Sequence, residues 1–509
     1  MTAEKSSNTI EISINTDVLV IGTGAAGAEA AEVISAQGYK VAVAGDGGQD
    51  IAQSGRAELI EGAHIRDFAG VAGDFRACFV KDGQRLERNF GAVVIAPGRN
   101  VRPQAEPFGL SLGERVITLG ELEKILADGN ARSKLGGAAV ALLLNLTWEG
   151  DPQYTARVLE ASLAIQQLEG ATASIYAGNV KVAAPGLERK FTYVREQGVV
   201  CFKPMEKPSI EQTGDKIRIT TLDSILRKTL VAEYDYLVVE EKAEPSDRDL
   251  DLAYSLRLDT DLEGFLPSNN VHRFPVNSNR EGIYIAAPGL GANIALRIKE
   301  LFGDGVKSVP ADRAVVDPEK CTICLTCYRC CPHGAIFWQD GVAAISPLAC
   351  QGCGICASEC PMDAIQIGGF NDKDLRRQVR EAVAATQKPA IVAFCCQNSA
   401  LEAGRAAAEF GMDLPAGLKL IKVPCAGKVD VEFIMQAFVD GADGVMVAAC
   451  HEGNCKAERG NLFARWRVNE IRKRLEALGI DKQRLLFTTF ASNMAKGFAE
   501  TAAQFAGSL

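Results

Sequence analysis

Residues 321–360 read CTICLTCYRCCPHGAIFWQDGVAAISPLACQGCGICASEC, and Pro361 follows. One device occurs twice. Cys321, Cys324 and Cys327 stand at C-x-x-C-x-x-C spacing and are followed by Cys331-Pro332. Cys350, Cys353 and Cys356 repeat the spacing and are followed by Cys360-Pro361. A cysteine at every third residue lets a tight loop wrap three thiolates around one iron–sulfur core, and where two such cores share a chain the fourth ligand comes from the other repeat. The spacing therefore predicts two [4Fe–4S] clusters. Cys321, Cys324, Cys327 and Cys360 are expected to hold one, and Cys350, Cys353, Cys356 and Cys331 the other. Each proline ends its loop and starts a short helix. Zinc knuckles use two C-x-x-C pairs rather than these longer runs, and disulfides need an oxidising compartment. Cys330, beside Cys331, reads as a packed thiol or as an alternative ligand.

The chain has 509 residues, enough for several domains, and a net charge of −9, which argues against a nucleic-acid partner. Its 16 cysteines are clustered, as metal sites in a reducing cytosol would be. The start, MTAEKSSNTIEIS, lacks the apolar centre of a signal peptide, and the longest apolar stretch, Ala138 to Leu146, is too short to cross a bilayer. A cytoplasmic protein is expected, with any membrane role supplied by a partner.

Residues 17–46 read DVLVIGTGAAGAEAAEVISAQGYKVAVAGD. An apolar strand enters Gly22-x-Gly24-x-x-Gly27, and a small-residue helix and a second strand follow. Such glycines permit a tight turn and close approach of a pyrophosphate to a helix N-terminus. The acidic ribose ligand expected at the end of the second strand falls on Gly45, with Asp46 one residue beyond, serving as ligand after a small shift or as a turn residue. Short strands, among them Ala77 to Lys81, and a turn at Asp82-Gly83 lead to GAVVIAPG, residues 91–98, which resembles the second FAD motif of two-dinucleotide-domain flavoproteins. GIYIAAPGLGANI, residues 282–294, resembles their third. The resemblance implies FAD contacts at Gly22, Gly24, Gly27, Asp46, Ala96, Gly98, Pro288 and Gly289. Residues 101–232 resemble the inserted second Rossmann-like domain, with strands Ala138–Leu144, Ala173–Tyr176 and Val199–Phe202 and a helix over Tyr154 to Leu168. LLLNLTWEGD follows its first strand in place of a glycine triplet, which argues against a nicotinamide site.

After a charged helix, Lys373 to Thr386, strands alternate with helices: Ala390–Phe394, Leu418–Val423, Gly444–Ala448 and Leu485–Thr489. This period predicts a parallel α/β sheet. Successive strands end in Cys395-Cys396, Cys425 and Cys450, with Cys455 shortly after, so five thiols are expected on one rim. Four suit a [2Fe–2S] cluster and one is left over; zinc and thiol redox chemistry are the alternatives. His451 is expected beside the site rather than in it.

With its glycine fingerprint, FTYVREQGVVCF, GIYIAAPG and the double cysteine run, the chain resembles the A-type component of heterodisulfide reductase. IVAFCCQNSA, KVPCAGKVDVEFIMQAFVDGADGVMVAACHEGNC and RGNLFARW resemble the delta subunit of methyl-viologen-reducing hydrogenase. The fusion is also similar to the B-type component of quinone-interacting membrane-bound oxidoreductase. The implied architecture is α/β multidomain: a dinucleotide-binding domain over 1–100 and 233–305, the insert over 101–232, a two-cluster ferredoxin module over 306–369, a helical linker over 370–387 and a delta-subunit-like domain over 388–509. The implied activity is electron transfer in a hetero-oligomeric redox complex. Its partners would be heterodisulfide-reductase-like B and C subunits, a hydrogenase, a formate dehydrogenase or a quinone-linked membrane subunit. Residues 47–60 are shorter than the family's flavin-contacting segment, and Ser399 stands where a further cysteine is common. Two readings stay open: a flavin hub, or a flavin-less wiring scaffold. A stand-alone nicotinamide reductase and a redox sensor at Cys395-Cys396 are rivals from other classes.

Overall fold

A computed structural model describes residues 9–509 other than 49–50, 52–54, 63, 82, 129–130, 151, 181, 183, 185, 268–269, 312 and 385–386. The chain forms two compact units, one built from the residues up to Gly98 with Asp247–Leu509, the other from Arg99–Ser246.

In the first unit, Val18–Ile21 and Ala92–Ile95 are buried along their whole length and pair in parallel. The sheet they centre has the order Ile283–Ile285, Ala92–Ile95, Val18–Ile21, Val41–Gly45, Glu58–Glu61, all parallel. Helices Ala25–Ala36 and Gly291–Phe302 pack on it. The glycine turn explains how closely the first helix lies. A Cβ on Gly22 (φ +115) would stand 2.4 Å from the Ala96 carbonyl oxygen, and one on Gly27 would stand 2.1 Å from that of Gly22. Small residues are thus required by backbone contact alone. A three-stranded antiparallel sheet, His64–Val71, Asp74–Lys81 and Gln84–Phe90, follows. Asp82 of the expected turn lies outside the described residues.

Strand Thr9–Ser13 pairs antiparallel with Val306–Pro310, so the segment after the Gly303–Gly305 linker leaves in a strand before the cysteine repeats begin. That pairing joins segments far apart in sequence and has no local signature. Two antiparallel ribbons frame the repeats: Ala314–Val316 with Ile365–Ile367, and Ile336–Gln339 with Val342–Ile345. Helix Asp372–Ala384 leads into the final sheet; residues 385–386 of the expected helix lie outside the described residues. That sheet has the order Leu418–Val423, Ile391–Cys396, Gly444–Ala449, Leu485–Thr489, all parallel. Helices cover both its faces, which is why IVAFCC and GVMVAA are buried throughout rather than alternating.

The second unit carries its own parallel sheet, ordered Val116–Ile117, Tyr236–Val238, Ala139–Leu144, Thr172–Ala177, Val200–Phe202. Helix Pro152–Gln166 packs on it. Antiparallel strands Ser209–Thr213, Lys216–Leu222 and Thr229–Tyr234 complete the unit with the pair Arg99–Pro103 and Glu241–Pro245. No helix among the described residues is long and apolar enough to cross a membrane.

Candidate metal centres and the dinucleotide-type site

The two cysteine repeats use one backbone solution. Left-handed residues fall two positions after the first cysteine and one after the second: Ile323 (φ +54) and Leu325 (φ +61) in the first repeat, Gly352 (φ +63) and Gly354 (φ +82) in the second. The reversal turns successive cysteines inward. Gly adopts it freely, whereas a β-branched isoleucine there is strained, and such strain concentrates at functional sites. Short helices Thr326–Cys330 and Ile355–Ser358 start directly after the second of these residues.

Cys321, Cys324, Cys327 and Cys360 line one cavity, with Tyr328, Ile336, Trp338 and Met362 among its walls. Cys331, Cys350, Cys353 and Cys356 line a second, with His333 and Ile355. Each cavity thus takes three cysteines from one repeat and one from the other. Cys324 of the first set is exposed, while Cys350 and Cys356 of the second are buried. His333 is buried, its Nε2 has no hydrogen-bond partner among the described residues, and burial pulls its pKa down to about 4, so the ring is neutral. Cys330 lies beside these sets with its Sγ 3.4 Å from the Cys327 carbonyl oxygen, and burial pushes its thiol up to about 12.

At the C-terminal edge of the last sheet four thiols gather. Cys396 Sγ lies 3.8 Å from Cys450 Sγ, and Cys425 Sγ lies 4.0 Å from Cys455 Sγ. Cys396 also interacts with Cys425, and Cys455 with Cys450. Cys395 is not in this nest. It packs on the opposite face of the sheet with Ile391, Ala393 and Phe498, where burial pushes its thiol up. Adjacent residues of a strand face opposite sides, so only one of Cys395-Cys396 can reach the nest. The rim therefore brings together four of the five expected thiols. Gly460, first residue of helix Gly460–Ala477, backs the nest so closely that a Cβ there would stand 2.2 Å from Cys425 Sγ. Ser399 Oγ is buried without a hydrogen-bond partner among the described residues and lies beside Cys396. His451 turns away, with Nδ1 2.9 Å from Thr489 Oγ1 and Nε2 3.3 Å from Met494 Sδ.

The second cavity and the nest adjoin, because Cys353 packs against the nest. The joint is tied from several sides. Ser358 Oγ donates to the Lys428 carbonyl at 2.7 Å. Arg467 donates to the carbonyls of Gly427 (2.9 Å) and Val429 (2.6 Å) and to Glu359. Lys428, 1 % exposed, pairs with Asp372. Asn270 Nδ2 reaches the Cys455 carbonyl at 3.0 Å.

The donor chemistry of all three sites is soft thiolate and nothing harder, which suits iron–sulfur ligation. No group of three or more His, Cys, Asp or Glu side chains among the described residues is arranged to close on a single metal ion.

The dinucleotide-type edge is different. Gly22, Gly24, Asp46, Ala96, Pro288 and Gly289 all follow the C-terminal ends of sheet strands, with Gly27 behind them in the helix and Gly98 just beyond Ala96. A cleft lined by Ile21, Ala44, Arg248, Asp251 and Ser255 among others opens beside the strand ends. Thr23 fills the space over Gly45, where a Cβ would stand 3.0 Å from its Cγ2, and donates from Oγ1 to the Asp46 carbonyl at 2.6 Å. The third motif is taken up internally. Glu29, on helix Ala25–Ala36, accepts from Gly289 N–H at 2.8 Å and from Gly291 N–H at 3.0 Å. A carboxylate thus satisfies two amides at the start of helix Gly291–Phe302. The start of helix Ala25–Ala36, by contrast, carries no side-chain cap. In the second unit Glu240, fully buried, accepts from Leu146 N–H, Thr147 N–H (3.0 Å) and Thr147 Oγ1 in the turn after strand Ala139–Leu144. Burial raises its pKa. Sequence reading missed both carboxylates; the only signal was an acid, Glu29, two residues past the last glycine in an alanine-rich helix.

Known proteins place the chain. Residues 391–509 match the family described as methyl-viologen-reducing hydrogenase, delta subunit, and residues 343–366 match the 4Fe-4S binding domain. The A-type component of the ferredoxin:CoB-CoM heterodisulfide reductase of Methanosarcina mazei is 25% identical over 458 residues, which is 83% of this chain and 57% of that protein. The chain thus spans little more than half the length of the reductase components it matches. The D-type iron–sulfur component of a hydrogenase of Archaeoglobus profundus is 35% identical over 118 residues, 23% of this chain and 86% of that protein. Among solved structures, the thioredoxin reductase of Lactococcus lactis aligns over 57% of this chain and 100% of its own, at 16% identity and a TM-score of 0.37. Through residues 391–509 the chain belongs to the iron–sulfur delta-subunit family of hydrogenases, here joined to a region similar to the A-type component of heterodisulfide reductase.

Proposed function

We propose that this chain is the electron-transfer subunit of a heterodisulfide-reductase-like oxidoreductase complex, a three-site wire without a flavin of its own. Cys321, Cys324, Cys327 and Cys360 would hold one [4Fe–4S] cluster, and Cys331, Cys350, Cys353 and Cys356 the other. Cys396, Cys425, Cys450 and Cys455 would hold a [2Fe–2S] cluster. Such clusters, when bound, take up and release single electrons at potentials tuned by burial and hydrogen bonds. The observation that carries the reading is the packing of Cys353 against the four-thiol nest. The chain's residues bring the three sites into one series, running from the exposed Cys324 to the buried nest. Tyr328, Ile336 and Trp338 wall the first site with apolar surface. Arg467, Ser358 and the Lys428–Asp372 pair hold the joint in register.

Glu29 and Glu240 support the flavin-less reading. Glu29 occupies the Gly289 and Gly291 amides of the third FAD-like motif, and Glu240 does the same for the turn amides of the inserted unit, so two-electron chemistry is assigned to a partner on the strength of Glu29. Partner candidates are heterodisulfide-reductase-like B and C subunits, a hydrogenase, a formate dehydrogenase or a quinone-linked membrane subunit. The test is cofactor content of the full chain purified anaerobically. About ten irons per chain are expected from two four-iron clusters and one two-iron cluster, with no flavin. About one FAD per chain would restore the flavin-hub reading, and absence of a [2Fe–2S] signal with full occupancy of the other sites would remove the third site.

A further inference from the structure

Arg280 is 8 % exposed. Its Nη1 donates to the Leu256 carbonyl at 2.8 Å and its Nη2 to that of Gly70 at 3.1 Å. Its guanidinium carbon lies 5.8 and 5.7 Å from the ring centres of Phe68 and Phe75. It forms no ion pair among the described residues. Arg257 stands near it, stacked over Tyr328 at 4.3 Å and donating to the Tyr328 carbonyl at 2.7 Å, also without an ion pair among the described residues. A buried cation and a half-buried one are therefore set near each other, with only carbonyls and rings to receive them. Such an arrangement is costly unless negative charge stands close by.

The segment is latched onto Pro332, next to Cys331, the cysteine that the first repeat contributes to the second cavity. Asn279 Nδ2 donates to the Pro332 carbonyl at 2.7 Å and to that of Arg257 at 3.1 Å. Gly334, in the CPHG turn that begins at Cys331, lies so close that a Cβ on it would be 2.4 Å from Arg280 Nε. Burial and Arg257 together pull the guanidinium's pKa down to about 10, which still leaves it a cation at neutral pH.

We infer that Arg280, with Arg257 beside it, is the fixed counter-charge that sets the reduction potential of the cluster site built from Cys331, Cys350, Cys353 and Cys356. The inference rests on the reading of those four cysteines as cluster ligands. A four-thiolate cluster is net anionic and gains one further negative charge on reduction, so a buried cation favours the reduced form more than the oxidised one. Arg280 is a positioning residue here: its charge acts on the site and it takes no part in ligation.

The experiment is an anaerobic redox titration of the full chain followed by EPR, on wild type, Arg280→Gln, Arg280→Lys and Arg257→Gln, with iron content measured for each. Arg280→Gln is expected to make one [4Fe–4S] couple about tenfold harder to reduce, about 59 mV for a one-electron couple, and to leave the [2Fe–2S] couple in place. Arg280→Lys is expected to return that couple to its wild-type potential, which a purely structural role would not do. Full iron with no shift in Arg280→Gln overturns the inference, as does a shift in Arg280→Lys equal to that of the glutamine variant. If Arg280→Gln loses iron, Arg257→Gln decides: a smaller shift in the same direction supports the inference, and no shift overturns it. A wild-type chain without [4Fe–4S] signals would overturn the underlying ligand reading instead.

Discussion

On the proposed ligand assignment, Gly460→Ala should remove the C-terminal cluster and spare the other two. The added Cβ would stand 2.2 Å from Cys425 Sγ. Ordinary carbon contacts lie at about 3.5–4.0 Å, so the overlap is about 1.3 Å or more. The helix cannot back away freely. Asn461 Nδ2, one residue on, is bonded to the carbonyls of Cys450 (3.1 Å) and His451 (2.8 Å), which ties the helix start to the same nest. On the far side a Cβ at Gly427 would meet the Gly460 Cα at 3.0 Å and Ile355 Cγ1 at 2.6 Å, so that wall is already close. The displacement therefore falls on the Cys425 sulfur. Metal–ligand distances tolerate about 0.2 Å, so a sulfur moved by more than about 1 Å ceases to ligate. The overpacking itself costs about 1–3 kcal/mol, small enough for the fold to survive. Iron content and EPR of the dithionite-reduced chain provide the assay: about two of about ten irons lost, with the [4Fe–4S] signals kept. Gly507→Ala, where a Cβ meets nothing within 4 Å, is the control and should keep all the iron. A Gly460→Ala chain with full iron and an unchanged [2Fe–2S] signal would show that Cys425 is not a ligand or that the helix start yields, and the reasoning would fail.

The two adjacent cysteines should part company. Cys396→Ser is expected to lose the [2Fe–2S] signal, while Cys395→Ser keeps it and lowers stability by about 1–3 kcal/mol, because a hydroxyl replaces a thiol among Ile391, Ala393 and Phe498. Equal loss of iron in both would refute the sorting by strand face. Glu240 carries a pH signature. Burial raises its folded pKa above the ordinary 4.5, so the folded chain binds its proton more tightly than the unfolded chain does. Its contribution to stability is therefore greatest below 4.5 and falls as pH rises through the folded value. Urea midpoints across that window should slope less in Glu240→Gln than in wild type, and parallel slopes would contradict the assignment.

Much of the candidate site was legible because it is local. Three residues per step curl a loop around a point, so spacing alone suffices to group the cysteines that line each of the two cavities. The strand–helix period of residues 391–489 places Cys396, Cys425 and Cys450 at one sheet edge by the same kind of reasoning. Strand alternation could also have separated Cys395 from Cys396. Naming which of the two faces the nest required knowing which face the following loop and helix cover. The FAD motifs were legible as shapes, since Gly22 and Gly27 must be small for backbone contact whether or not a ligand binds.

The sequence by itself determined the elements, their order and the cysteine groups, because these follow from short residue spacings and from strand and helix periods. Only the tertiary structure decided which charges meet which amides and carbonyls. Glu29 reaches Gly289 across 260 positions, Glu240 reaches Thr147 across 93, and Arg280 reaches Gly70 across 210. Hydrogen-bond partners at such separations are chosen by how sheets and loops pack, and no periodicity in the chain encodes that choice.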